Sequence, residues 1–113
     1  MQQVVDLQED RAFQDLDVGV LSISPDPASA WTAEGKALGV STPMLTDDGN
    51  GVATAYGVMR WAMPSGEPGH TFVLVNVDGA VAWIRDYGAP ENGGAMYVPT
   101  AEIADQVADA LGR

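Results

Sequence analysis

Apolar residues recur along this chain at two spacings, and the switches between them divide it into elements. Gln2 to Leu16 reads as a helix. Val4, Leu7 and Arg11, and Val5, Gln8 and Ala12, follow one another at three and four positions, with Phe13 and Leu16 extending the apolar side. Val18-Gly19-Val20-Leu21-Ser22-Ile23-Ser24 is apolar and β-branched, as a strand would be, and Pro25-Asp26-Pro27 ends it because proline cannot donate to a ladder. A second helix is predicted over Ala28 to Leu38, carrying Ala30, Trp31, Ala33, Ala37 and Leu38, with Asp26 or Ser29 as its N-cap and Gly39 as its stop. Thr42 to Thr46 is a short extended piece, Asp47 to Gly51 a turn, and Val52 to Tyr56 a short helix stopped by Gly57.

The strongest local signal lies between His70 and Tyr87. Thr71-Phe72-Val73-Leu74-Val75-Asn76-Val77 and Ala80-Val81-Ala82-Trp83-Ile84-Arg85-Asp86 flank Asp78-Gly79, a pair that favours a tight hairpin because both residues tolerate positive φ. The first run is almost wholly apolar, as expected of a strand covered on both faces. The second alternates, with Val81, Trp83 and Arg85 on one side and Ala82, Ile84 and Asp86 on the other. Val58 to Gly69 before the hairpin and Gly88 to Gly94 after it read as loops. Thr100 is then expected to cap a last helix over Ala101 to Leu111, with Ile103, Val107, Ala108 and Leu111 on one side. The order α–β–α–(β)–α–β–β–α implies an α/β sandwich around a mixed sheet. No internal repeat or linker divides residues 1–113, so one domain is expected.

Composition narrows the function classes. With 16 acidic and 5 basic residues the net charge is −11, which argues against a phosphate-neutralising nucleic-acid surface and against attraction to anionic membranes. No apolar run is long enough to span a bilayer, and the amino terminus lacks the basic start and apolar stretch of a signal peptide, so a cytoplasmic protein is the default expectation. There is no cysteine, which removes disulfides, thiolate catalysis and thiolate metal sites from this chain. No cofactor is implied.

Four segments together resemble the redoxin branch of the thioredoxin superfamily, the peroxiredoxins of the alkyl hydroperoxide reductase and thiol-specific antioxidant type. They are Val18 to Asp26, Leu38 to Asp47, Val52-Ala53-Thr54-Ala55-Tyr56-Gly57-Val58, and Thr71 to Gly79, in the family's order and spacing over about residues 4–111. The resemblance implies a thioredoxin-like three-layer sandwich whose mixed sheet ends in an antiparallel hairpin. It also implies a reactive cysteine at the N-terminus of the first helix, where the positive helix end lowers a thiol pKa. Read against that pattern, the chain starts inside the first helix. The central strand and the cysteine position would then lie before Met1, leaving the domain incomplete at its amino end, and a reading frame extending upstream would supply both. The arginine that family peroxidases carry shortly before the hairpin is replaced here by Gly69-His70.

The resemblance therefore implies antioxidant redoxin ancestry with no catalytic residue in this chain. The alternative is a non-catalytic interaction module, homodimeric through the vacated sheet position or through Arg60-Trp61-Ala62-Met63-Pro64, an apolar loop patch that is either a lid on the core or a contact surface. Arg60, Trp61 and Met63 are the candidate interface residues. Trp31 and Trp83 read as packing residues. His70, the only histidine, reads as a loop histidine bonded to backbone, and Asp78, Asp86 and Glu91 as loop carboxylates. Asp47-Asp48-Gly49-Asn50-Gly51 hints at a calcium loop but lacks its ligand spacing, and a helix-entry turn explains it better.

Overall fold

The computed structural model describes residues 2–66, 68–95 and 97–113, with the side chain of Trp31, expected against the sheet, outside the described residues. Its described residues form five α-helices and four strands, joined in part by short 3-10 turns: α1 (Gln2–Glu9), α2 (Arg11–Gln14), β1 (Ser22–Ser24), α3 (Ala28–Leu38), β2 (Met44–Thr46), α4 (Gly51–Ala55), β3 (Thr71–Val75), β4 (Val81–Asp86) and α5 (Thr100–Ala110). No helix among the described residues is long and apolar enough to cross a membrane.

The first helix is not continuous. Asp10 adopts extended backbone (φ −77°, ψ 120°), and its carboxylate accepts from the Phe13 N–H, capping a second short helix. The pattern of apolar residues carries no mark of the break, so a pattern reading runs through it. Gln3, Val5, Leu7 and Phe13 turn inward. Gln3 is the polar exception, and its amide is satisfied in both directions. Its Nε2 donates to Val98 O at 3.0 Å and its Oε1 accepts from Val98 N at 2.7 Å, tying α1 to the chain just before α5.

The sheet is in two parts. β1 pairs parallel with β2 (Ser22 opposite Met44, Ser24 opposite Thr46), and β3 pairs antiparallel with β4 (Thr71 opposite Asp86, Leu74 opposite Trp83). Among the described residues no ladder joins the two pairs. The strand expected from Val18 is therefore only three residues long. Val18 to Leu21 make no backbone hydrogen bond among the described residues, because nothing lies beside them to pair with. The expected double coverage of the Thr71 run also fails at its end: Val75 is half-exposed and Val77 fully so.

The hairpin turn differs from the expected two-residue Asp-Gly form. Gly79 alone has positive φ (83°); Asp78 does not. Asn76 organises the turn, with its Oδ1 accepting from the N–H groups of Asp78 and Ala80 at 3.0 Å each, and its own N–H donating to Ala80 O at 2.9 Å. Leu74 faces Trp83 and Val75 faces Val81, so Ala82 is an extra residue forming a bulge in β4.

The core lies between the hairpin and the helices. Leu74 and Tyr87 meet Ile103, Ala104 and Val107 of α5, with Leu7 and Phe13 closing the cluster. Phe72, Trp83 and Tyr87 stack in a tilted and edge-on set with centroids 5.8–6.4 Å apart, so Trp83 packs as expected. The expected caps are not used. Pro27 and Pro99 occupy the N-cap positions of α3 and α5 without side-chain bonds. Asp26 instead accepts from the Ser24 hydroxyl, and Thr100 Oγ1 donates to Asp10 Oδ2 at 2.8 Å, joining α2 to α5.

Two carboxylates of the helical layer are sensitive to acid, Asp10 and, in α1, Asp6. The Phe13 N–H, then the Thr100 hydroxyl, hold the Asp10 carboxyl below the usual carboxylate range, and the Tyr97 hydroxyl, then the Gln2 amide, do the same for Asp6. A lowered folded-state pKa contributes stability that is fully present above the unfolded value and lost as pH falls through the folded one. The urea midpoint of an Asp6→Asn, Asp10→Asn double variant should therefore fall less steeply than that of the parent chain below about pH 4. Parallel curves for the two proteins would contradict this assignment. The comparison cancels the general relief of acidic repulsion that accompanies acidification.

Candidate functional site

The three residues singled out as an interface do come together, and they do so around a pocket. Arg60, Trp61 and Met63 line a cavity of about 390 Å³ together with Gly69, His70 and Asp86. A 3-10 turn over Val58–Trp61 presents the patch. Gly57 enters that turn at φ 73°, a left-handed conformation that glycine tolerates best. The Arg60 guanidinium lies 3.9 Å from the Trp61 ring centroid, a cation–π contact on an exposed arginine, and Met63 is also exposed. Trp61 itself is half-buried.

Beneath the patch lies a carboxylate that the sequence placed in a loop. Asp86 is the last residue of β4 and only 1% exposed. Its Oδ1 accepts from Thr71 Oγ1 at 2.9 Å, and its backbone oxygen accepts from Asn92 Nδ2 at 2.8 Å. The signal was available: alternation along residues 81–86 turns Asp86 to the same side as Ile84, and a regular hairpin register sets it opposite Thr71. His70 also departs from expectation. Its backbone carbonyl accepts from Tyr87 N, but its buried Nδ1 finds no hydrogen-bond partner among the described residues, and the ring packs 5.8 Å from Phe72. Glu91 stands at the pocket rim and Asp78 in the hairpin turn, so these two carboxylates and Asp86 do not converge.

Gly69 lies between Trp61 and Asp86. A Cβ there would lie 2.6 Å from Trp61 O and 2.8 Å from Asp86 Oδ1, closer than such contacts occur. The position next to the buried carboxylate thus admits no side chain without movement.

Asp47, from the acidic turn, is spent on the fold. Its Oδ1 and Oδ2 each accept a backbone N–H at 2.9 Å, from Val52 and Ala53, which caps α4 as the helix-entry reading required.

A second, larger concavity separates the two sheets. It encloses about 700 Å³ and is lined along one side by residues 17–25 and along the other by residues 68–77. Leu7, Phe13 and Ile103 contribute apolar wall from α1, α2 and α5. Leu21 (61% exposed) and Ile23 (44%) stand open at its lip. Sequence reasoning anticipated a gap here only through the family resemblance.

The sequence model of the AhpC/TSA family matches residues 2–84. No curated protein matches the chain. Among solved structures, Mycobacterium tuberculosis AhpC superposes with a TM-score of 0.72 at 22% identity, covering 98% of this chain and 60% of its own. Mycobacterium bovis AhpC gives 0.71 at 22% identity, covering 99% and 64%. The chain thus spans about three fifths of the length of the solved chains it matches, and at this identity the likeness is one of fold.

Gly69→Ala tests the pocket geometry. The inserted methyl should lower unfolding free energy by about 1–3 kcal/mol in urea titration, because backbone and a buried carboxylate must both yield. A loss of only a few tenths would mean that the approach of Gly69 to Trp61 and Asp86 is loose.

Proposed function

The chain belongs to the AhpC/TSA family, and from that membership we propose that residues 1–113 form a single redoxin domain that keeps the family scaffold and carries none of its thiol chemistry. The observation that bears this reading is the absence of any cysteine in the sequence. Thiol peroxidases and thiol–disulfide oxidoreductases work through a thiolate nucleophile, and no other side chain here can take its place at neutral pH without an activating base. The pocket gives a second support. The resemblance sets an arginine just before the hairpin to steady thiolate and peroxide, whereas this chain has Gly69 there, wedged against Trp61 O and the Asp86 carboxylate with no room for a longer side chain. Peroxide consumption with dithiothreitol or thioredoxin as reductant should not exceed the buffer blank. Turnover above it overturns the reading.

A second reading concerns association. The exposed Arg60 and Met63 beside a half-buried Trp61 support a homodimer contact at this patch, of the kind that aromatic and arginine side chains anchor. At a net charge of −11 per copy, such a dimer has to overcome mutual repulsion. Sedimentation at high micromolar concentration should show a dimer that tightens as salt rises to about 0.5 M, where exposed charges are screened within a few ångströms, and that weakens in Trp61→Ala. A strict monomer across that salt range counts against it.

A further inference from the structure

One deeply buried charge in this chain has no opposite charge beside it. Asp86 is 1% exposed, and an aspartate so buried is almost always paired. Among the described residues its carboxylate takes a single hydrogen bond, from the Thr71 hydroxyl. None of the five basic side chains forms an ion pair with it. Arg85, its neighbour in sequence, lies 5.0 Å from the Tyr87 ring centroid, and Arg60 is stacked on Trp61. Two glycines stand against the carboxylate on the wall of the 390 Å³ cavity. A Cβ at Gly69 would come 2.8 Å from Oδ1, and one at Gly88 3.8 Å from Oδ2. His70 lines the same cavity, and its buried Nδ1 is a second polar atom there with no partner among the described residues.

We propose that this pocket binds a small organic cation of the amidine or guanidine type. Its charged fork sits on Asp86 and its short apolar body lies against Trp61, Met63, Pro64 and Pro90. A carboxylate has about four acceptor positions, and the Thr71 hydroxyl fills one. A planar fork offers two parallel N–H donors, one for each oxygen. The cost of taking Asp86 out of water is met on folding, so a cation that joins it there gains the attraction without that part of the penalty. A metal ion is the poorer occupant, because no three His, Asp or Glu side chains converge among the described residues. The cavity lies at the small end of ligand pockets, which run from about 300 to 1,000 Å³, so the body is about one ring in size. At the rim, Glu91 favours the approach of a cation and Arg60 opposes it, which leaves the buried carboxylate to decide the sign. The proposal rests on neither the thiol reading nor the contact between copies at Trp61.

The test titrates the intact chain with benzamidine and with benzamide, its neutral isostere, and follows backbone amide resonances. One benzamidine should bind per chain and shift the amides of Gly69, Asp86 and Gly88. Benzamide should bind about tenfold more weakly or worse, the loss expected when a charge-assisted pair becomes a neutral one. Asp86→Asn keeps the size of the side chain and an acceptor for Thr71, and it should bring benzamidine down to the level of benzamide. Equal binding of the two compounds by the parent chain overturns the proposal without recourse to any variant. So does a folded Asp86→Asn chain that holds benzamidine as tightly as the parent. No binding of benzamidine up to about 10 mM, or shifts confined to residues outside the pocket, overturns it as well.

Discussion

Every peptide group on the edge of a strand needs a partner, and among the described residues each of the four strands has a neighbouring strand on one side only. β1 leans on β2 and β3 on β4, and their remaining edges border one concavity. The sheet therefore cannot hold the two halves together, and helix α1 takes over that task. Near its start, the Gln3 amide clasps Val98 ahead of α5. Near its other end, Gln8 Nε2 donates to Gly39 O at 2.8 Å and Gln8 Oε1 accepts from Ser41 N at 3.0 Å, just beyond α3. Arg113 adds a hydrogen bond from the carboxyl end to Leu16 O. The hairpin half and the parallel half are thus braced by side-chain amides across a gap, where a continuous ladder would otherwise do the work.

The same arrangement explains why the chemistry is sparse around a well-formed scaffold. The pocket under Trp61 contains a buried carboxylate, an imidazole nitrogen with no hydrogen-bond partner among the described residues, and a guanidinium, but the carboxylate is engaged by Thr71 and crowded by Gly69. The guanidinium is stacked on an indole. These groups are arranged to shape a surface. None of them lies against a thiol, the nucleophile on which the family's chemistry depends.

Elements fixed by local chemistry were legible in the sequence. Helix α3 runs from Ala28 to Leu38 as expected, closed by Gly39 in the left-handed region at φ 82°, and Asp47 caps α4 from within its turn. The hairpin lies where Asp78-Gly79 placed it. What depends on distant partners was not legible. The Asp10 break needs Phe13 and Thr100 around one carboxylate, and Gln3 reads as a surface residue until Val98 is beside it. The Val18 run has the composition of a long strand, yet strand length is set by available ladder partners, and only Ser22 to Ser24 have them. At the pocket, the proximity of Arg60, Trp61 and Met63 to one another was readable. The buried Asp86 beneath them was not, although its register position was.

The extra residue at Ala82 gives the hairpin a polarity. A bulge kinks and overtwists the ribbon that carries it, so the outer border of β4 offers an uneven template to any neighbouring chain, while the groove-facing border of β3 stays regular. A copy of this protein meeting the hairpin border to border in concentrated solution would find its β4 side blunted against pairing.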